Sequence, residues 1–370
     1  MLSIRTYNQI SSKGLDRFPR DRYRIGGDVE APQGYILRSH KLHGEAIPDS
    51  LLAVARAGAG VNNIPVPEYS ARGVVVFNTP GANANAVKEL VITGMLLASR
   101  DIFAGMNYVQ GLTEIRDDAA MAALLEKEKS RFAGSEILGK TLGVVGLGAI
   151  GAVVANMALE LGMRVVGYDP ALSVEAAWRL SSSVEKMDSL QSLLARSDYV
   201  TLHVPAMSAT RHMINSETLR SLKPGAVLLN FAREEIVEPG AIIGALDSGQ
   251  VRRFVTDFPV PALLGRDNVI AMPHIGASTA EAEENCAIMA ADQLMEFLEH
   301  GNIRNSVNFP TTRMARNGGY RLTFCNANVP KVLGKVLAVI ADCNNNVLDL
   351  VNQSRDDIAY NIIDVEQAPD

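Results

Sequence analysis

Short apolar runs bounded by turn residues alternate along this chain with stretches whose apolar positions recur at helical spacing. Gly34–Leu37, Leu52–Arg56 and Val74–Phe77 are near-continuous apolar runs, each followed by a helical or turn-rich stretch, as expected of strands in a parallel sheet. Asn83–Arg100 predicts a helix, because Val87, Leu90, Val91, Met95 and Leu96 repeat at helical spacing. Glu114–Arg131, rich in Ala, Glu and Lys, predicts a solvated helix or an arm. A strand, a glycine-rich turn and a helix then follow one another in Thr141–Gly162, TLGVVGLGAIGAVVANMALELG, before a second apolar strand at Arg164–Tyr168. The alternation continues through Tyr199–Val204, Ala226–Phe231, a strand ending at Asp257, and Val269–Met272. Thr279–His300 predicts an amphipathic helix with Cys286, Met289, Ala290, Leu294, Phe297 and Leu298 on its apolar side. Gly301–Asn317 is polar, contains proline and reads as a linker. The last segment predicts strand Arg321–Asn326, helix Pro330–Asp342, and strands near Val347–Asn352 and Ile358–Val365, with Pro330 suited to the helix's first turn.

This order of elements defines an α/β protein: doubly wound parallel sheets followed by a small α+β tail. A chain of 370 residues has room for two or three domains. The formal net charge of −6 gives no general field for nucleic acid or an anionic membrane, so an anionic substrate must be caught by local basic residues. Cys286, Cys325 and Cys343 lack metal-ligand or CxxC spacing and read as small apolar residues of a reducing cytosol. The N-terminus lacks the apolar core of a signal peptide, and Asn156 and Glu160 interrupt the one stretch long enough to suggest a membrane span. The expectation is a cytoplasmic protein with neither membrane nor nucleic acid as a partner, and with no bound metal.

Chemistry enters at Gly146-Leu147-Gly148-Ala149-Ile150-Gly151. Gly146 permits the tight turn, Gly148 lets backbone approach a pyrophosphate, and Gly151 lets the helix pack closely on the strand. The helix N-terminus offers free N–H groups and a positive dipole end to phosphates. Asp169, at the tip of the second strand, can accept hydrogen bonds from an adenosine ribose. A carboxylate there repels a 2′-phosphate, and no arginine follows directly, which favours NAD over NADP. Arg233, in LLNFAREEIV, and His274, in VIAMPHIGAST, each lie just beyond a predicted strand, where ligands gather in open parallel sheets. An arginine in such a place can fork onto a carboxylate, and a histidine can take a hydroxyl proton; a surface arginine and a hydrogen-bonded histidine are the plainer alternatives.

ARAGAGVNNIPV (Ala55–Val66), VVVFNTPGANANAVKELVI (Val74–Ile92), GKTLGVVGLGAIG, KPGAVLLNFAR and MPHIGASTAEAEEN occur in this order, and together the chain closely resembles the D-isomer-specific 2-hydroxyacid dehydrogenases. EKEKSRFAGSEILGK and HGNIRNSVNFP are similar to the short bacterial, phosphoglycerate-oxidising branch of that family. The resemblance implies a Rossmann-like cofactor domain at 96–275 inserted in a flavodoxin-like substrate domain formed by 1–95 and 276–312. It implies oxidation of D-3-phosphoglycerate to 3-phosphohydroxypyruvate with NAD, in a homodimer or homotetramer; another D-2-hydroxy acid, or a weakened NAD-binding regulator, are the alternatives. His274 becomes the acid/base and Arg233 the carboxylate clamp, assisted by backbone amides of Ala57, Gly58, Ala59, Gly60 and Val61. Arg38 and Ser39, with Lys41 as a further candidate, fall where the family binds phosphate. The cofactor set implied is Gly146, Gly148, Ala149, Ile150, Gly151, Asp169, Pro170, His203, Val204, Pro205, Thr210, Ala232, Asp257 and Thr79.

The pattern breaks in three places. The family pairs its histidine with a glutamate, but the corresponding position here is Pro261, leaving Asp257 and Glu281 as candidate replacements. Glu234 stands where a glycine usually follows the arginine. The segment 318–370 resembles an ACT domain, which implies that Asn328 and Asn346 bind an amino-acid effector. Lys331 replaces the usual glycine after Pro330, and the tail stops before the second helix and last strand of that fold.

Overall fold

Two parallel sheets and one antiparallel sheet make up the computed structural model, which describes residues 1–368; Pro369 and Asp370, assigned to the tail, lie outside the described residues. The chain divides into two compact units, one of Met1–Asn83 with Thr279 onward, the other Ala84–Ser278.

In the first unit, strands β1 (Leu2–Thr6), β2 (Tyr23–Gly26), β3 (Gly34–Leu37), β4 (Ala53–Arg56) and β5 (Val75–Phe77) form a parallel sheet in the order β2-β1-β3-β4-β5. Side chains alternate across it. Ile4, Ile36, Ala53, Ala55, Val75 and Phe77 face one core with Leu294 of helix Ala280–His300. Tyr35, Leu37, Val54, Val74 and Val76 face the other. Both faces are covered, which is why these strands read as unbroken apolar runs. β1 and β2 escaped the sequence reading because they are short and polar at several positions, LSIRT and YRIG.

In the second unit, β6 (Thr141–Val145), β7 (Arg164–Tyr168), β8 (Glu185–Lys186), β9 (Tyr199–Leu202), β10 (Ala226–Asn230), β11 (Val251–Thr256) and β12 (Val269–Ala271) run parallel in the order β12-β11-β10-β9-β6-β7-β8. Leu142, Val144, Val227, Leu229 and Val255 meet helices Ala84–Ser99 and Ala149–Glu160 on one face. Val145, Val200, Leu202, Leu228 and Phe254 meet helices Leu190–Arg196 and Pro239–Asp247 on the other. Helix Ala84–Ser99 thus contributes Val87, Val91, Met95 and Ala98 to this second unit.

The tail is β13 (Tyr320–Ala327), helix Val332–Asp342, β14 (Val347–Arg355) and β15 (Ile358–Val365), with β15 central in an antiparallel sheet. It belongs to the first unit's core. Tyr360 and Ile362 pack there with Phe309, and the Tyr360 hydroxyl donates to the Gly301 carbonyl at 2.7 Å. Arg321 forks onto the buried Asp364 carboxylate with two 2.7 Å bonds, and its remaining donors reach the carbonyls of His300, Met314 and Ala315. A buried pair so fully satisfied can offset its desolvation. Ile363 and Val365, on the opposite face of β15, pack against Ile340, Val336 and Leu337 of the helix.

Two expectations change. Gly301–Asn317 is no free linker, because Ile303, Phe309 and Met314 are buried in the core and Ile303 bridges Thr312. Pro330 precedes the tail helix instead of opening it. The helix begins at Val332 after Lys331, whose left-handed backbone (φ 76°) turns the chain.

Candidate active site

The chain order of the second sheet reverses at β6, which has β7 on one side and β9 on the other. Such a switch point opens a crevice at the strands' carboxyl ends. The glycine-rich loop stands there. Gly146 has φ 87°, and a Cβ on it would lie 2.6 Å from the His203 carbonyl, at the end of the neighbouring β9. Gly151 admits no side chain either, since its Cβ would lie 1.9 Å from the Gly146 carbonyl. Gly148 is the opposite case. Nothing lies within 4 Å of the place a Cβ would take, so space is open above the N-terminus of helix Ala149–Glu160, where Ala149 and Ile150 begin the first turn. Those first N–H groups have no intrahelical acceptor and can serve a pyrophosphate.

Asp169 directly follows β7 and braces this loop. Its Oδ2 accepts from Leu147 N at 2.8 Å and its Oδ1 from Ala171 N at 2.9 Å, across the exposed Pro170. One lone pair on each oxygen is left for a ribose diol. His203 shares a 2.9 Å hydrogen bond with Thr201 Oγ1, and burial pushes its imidazole pKa down to about 3, so it is neutral at pH 7. Val204 and Pro205 follow it, and Thr210 closes their loop by donating to the Pro205 carbonyl at 2.5 Å.

Three further residues lie just past β10, β11 and β12. The register pairs Asn230 with Thr256 and Thr256 with Ala271, so the strand ends stand side by side. Arg233 is partly buried, with Nη1 donating to the Ala232 carbonyl at 2.6 Å. Buried Asn230 holds this turn, accepting from Ala232 N and donating to the Arg233 carbonyl. Asp257 is 1% exposed, and neither of its carboxylate oxygens has a hydrogen-bond partner among the described residues. His274 Nε2 lies 3.9 Å from Asp257 Oδ2, and its ring tilts over Phe258 at 4.6 Å. Burial raises the Asp257 pKa; the nearby charge of His274, the backbone N–H groups of Asp257 and Gly276, and the charge of Arg233 oppose the rise without cancelling it. A buried carboxylate held by no side-chain donor, beside a histidine and an arginine, is a candidate functional group. Pro261 opens the 3-10 turn Pro261–Leu263 and is itself exposed, while Leu263 is buried; Glu234 and Glu235 face solvent.

The first sheet has its own switch point, between β1 and β3. Asn8, at φ 63° just past β1, accepts from Ser39 N and His40 N with Oδ1 and so shapes the turn after β3. Arg38 Nη1 pairs with Glu283 Oε1 at 2.6 Å. Arg56 Nε donates to the Arg38 carbonyl, and its guanidinium lies where Gly58, at φ 151°, lacks a Cβ. Ala57 N bonds to Leu37, the Gly58 carbonyl accepts from Thr79 N, and the Ala59 carbonyl accepts from Asn78 Nδ2 at 2.6 Å. Gly60 follows, half-buried. Asn63 Nδ2 donates to the carbonyls of Arg38 and His40. Thr79 is fully buried, its hydroxyl near the Cys286 thiol. Lys41 is exposed beside this turn, and Glu281 opens helix Ala280–His300. Sequence reading missed Arg56, Asn8, Asn63, Asn78 and Asn230. Arg56 alone had a visible signal, as the cation at the end of a strand directly before ALA-GLY repeats of ARAGAG.

In the tail, Asn328 and Asn346 are exposed and hold turns. Asn328 bonds to the carbonyls of Asp357 and Asp356, and the Asn346 carbonyl accepts from Glu366 N.

A glycine turn at a switch point, an acid just past the next strand, and an arginine, a carboxylate and a histidine at adjoining strand ends define a dinucleotide-dependent dehydrogenase class. Residues 94–276 match the family model described as D-isomer specific 2-hydroxyacid dehydrogenase, NAD binding domain. The chain is 34% identical over 311 residues to D-3-phosphoglycerate dehydrogenase of Methanocaldococcus jannaschii, covering 82% of this chain and 56% of that one. It is also 34% identical over 334 residues to the enzyme of that name from Haemophilus influenzae, covering 87% and 77%. A solved structure, the TT0316 protein of Thermus thermophilus, is similar with a TM-score of 0.65 and 27% identity, over 83% of this chain and 100% of that one. The chain belongs to the D-isomer specific 2-hydroxyacid dehydrogenase family and carries its NAD-binding domain. It spans little more than half the length of the Methanocaldococcus relative. Among the described residues no helix is long and apolar enough to cross a membrane.

Proposed function

We propose that the protein oxidises D-3-phosphoglycerate at C2 with NAD, giving 3-phosphohydroxypyruvate and NADH as the entry step of serine synthesis. The observation that carries the chemistry is the grouping of Arg233, Asp257 and His274 at three adjoining strand ends. NAD held at the Gly146–Gly151 loop would supply the hydride acceptor for C2. His274 takes the hydroxyl proton on the ring nitrogen turned away from Asp257. The Asp257 carboxylate then faces a newly formed imidazolium and stabilises it, filling the role that Pro261 cannot. Arg233 forks onto the substrate carboxylate. Arg38 and Arg56 supply the cations that a phosphate needs, and the names of the Methanocaldococcus and Haemophilus relatives support that substrate. Asp169 selects NAD over NADP.

The same reading has the enzyme working in the cytoplasm as a homodimer or homotetramer. Helix Ile102–Gln110 supports association, because it buries no residue and leaves Phe103, Met106 and Val109 exposed. Likeness of the tail to an ACT module supports an amino-acid effector near Asn328 and Asn346.

The test is NADH formation from a panel of D-3-phosphoglycerate, D-glycerate and D-lactate, repeated with serine. Preference for the phosphorylated acid is expected, with activity falling about 10²- to 10⁴-fold in His274→Ala. Preferred turnover of an unphosphorylated acid would overturn the substrate, and full activity of His274→Ala would overturn the mechanism.

A further inference from the structure

Arg38 is already engaged at the switch point of the first sheet. Its Nη1 lies 2.6 Å from Oε1 of Glu283, in the first turn of helix Ala280–His300. Arg56 joins the same cluster through its bond to the Arg38 carbonyl. All three charges act on the buried thiol of Cys286, one turn along the helix. Burial raises that thiol's pKa most, Arg56 and Arg38 pull it down, and Glu283 pushes it up. An anion arriving at these two guanidiniums therefore also meets a carboxylate. The helix dipole does not by itself account for Glu283, because Glu281 already provides an acid in that turn.

We propose that Glu283 is a specificity-determining residue, a built-in counter-ion that holds Arg38 in the free protein and yields it to the substrate's phosphate. This rests on the reading of Arg38 as a phosphate clamp. The two side chains are 39% and 44% exposed, and an ion pair so open to water is weak enough to exchange. The charge of Glu283 stays beside the bound phosphate after the exchange. It opposes a dianion about twice as strongly as a singly charged group, and a neutral hydroxyl hardly at all. Glu283 thereby narrows the preference for phosphorylated over unphosphorylated acids.

Steady-state kinetics of the full chain with D-3-phosphoglycerate and D-glycerate test this in wild type, E283Q, E283A, R38Q and the R38Q/E283Q double variant. E283Q and E283A are expected to lower KM for the phosphorylated acid about three- to tenfold and to raise the kcat/KM ratio of phosphorylated to unphosphorylated acid by a similar factor. The gain should shrink as salt is added, and in the R38Q background it should fall without vanishing, because competition for Arg38 is gone while the repulsion between Glu283 and the phosphate remains. R38Q raising KM for the phosphorylated acid while E283Q and E283A leave it unchanged or higher overturns the role of Glu283 alone. R38Q leaving that KM unchanged overturns the clamp, and the counter-ion proposal with it.

Discussion

His274 Nε2 stands 3.9 Å from Asp257 Oδ2, with the carboxylate 1% exposed and the imidazole side chain 59% exposed. The distance is that of an ion pair, longer than a direct hydrogen bond. Its origin is the register of the sheet. Thr256 pairs with Ala271, and Met272 N bonds to the Thr256 carbonyl at 3.0 Å, so the residues just beyond both strands emerge together. The acid therefore reaches the histidine from the strand end itself. The turn at Pro261 has no part in it.

Asp257→Asn keeps the shape and removes the charge. We expect kcat for oxidation to fall about 10- to 100-fold, as when an uncompensated imidazolium must form in the transition state. KM for the acid should move much less, because Arg233 is untouched. Wild-type kcat in Asp257→Asn, measured by NADH absorbance, would falsify the pairing.

The same substitution should stabilise the protein at neutral pH. Burial raises the Asp257 pKa, so the native state holds its proton to higher pH than the unfolded chain does. Its favourable contribution is present below the unfolded carboxyl range and is lost as pH rises through the folded value. Asn cannot ionise, so the melting temperature of Asp257→Asn without ligand should exceed that of wild type by a margin that grows from about pH 4 toward pH 7. Each kcal/mol gained appears as about 2–4 °C. A margin constant with pH would contradict the raised pKa.

At the cofactor loop, Gly151→Ala drives a Cβ to 1.9 Å from the Gly146 carbonyl, which backbone cannot yield without opening the turn. Calorimetric NAD affinity should drop at least about tenfold, the equivalent of 1.4 kcal/mol. Asp169→Asn keeps an acceptor for one of the two backbone N–H groups but loses the charge, so NAD binding weakens while discrimination against NADP narrows. Unchanged discrimination would show that Asp169 only braces the loop.

Tyr360 ties the tail sheet to the first unit. Tyr360→Phe leaves the Gly301 carbonyl without its 2.7 Å donor and should cost about 0.5–1.5 kcal/mol, and Tyr360→Ala should cost about 3–5 kcal/mol by leaving a cavity beside Phe309. Urea unfolding measures both. A tail that is only appended would leave unfolding of the remainder unchanged after either substitution.

The strands buried on both faces were legible because they are continuous apolar runs, and the helix at Ala280–His300 because its apolar residues recur along one side. β1 and β2 were not, since LSIRT and YRIG alternate too briefly to stand out. Gly301–Asn317 looked like a linker because its buried residues, Ile303, Phe309 and Met314, are spaced irregularly and find their places only against a core built elsewhere. Asn230, Asn63 and Asn78 hold carbonyls of functional loops, and nothing local distinguishes such an asparagine from a surface one.

Local order along the chain was sufficient for the cofactor half: strand, glycine turn, helix, strand and Asp169 are consecutive, and Leu147 N meets Asp169 within a single supersecondary unit. The proposed proton-handling half depends on pairing between strands. Pro261 suggested a missing acid, and only the alignment of β11 with β12 brings Asp257 to His274. Arg38 and Glu283 are far apart in the sequence and meet only once helix Ala280–His300 has packed on the first sheet. Short-range backbone chemistry is written in neighbouring residues, whereas the company a charge keeps is set by which distant segments share a core.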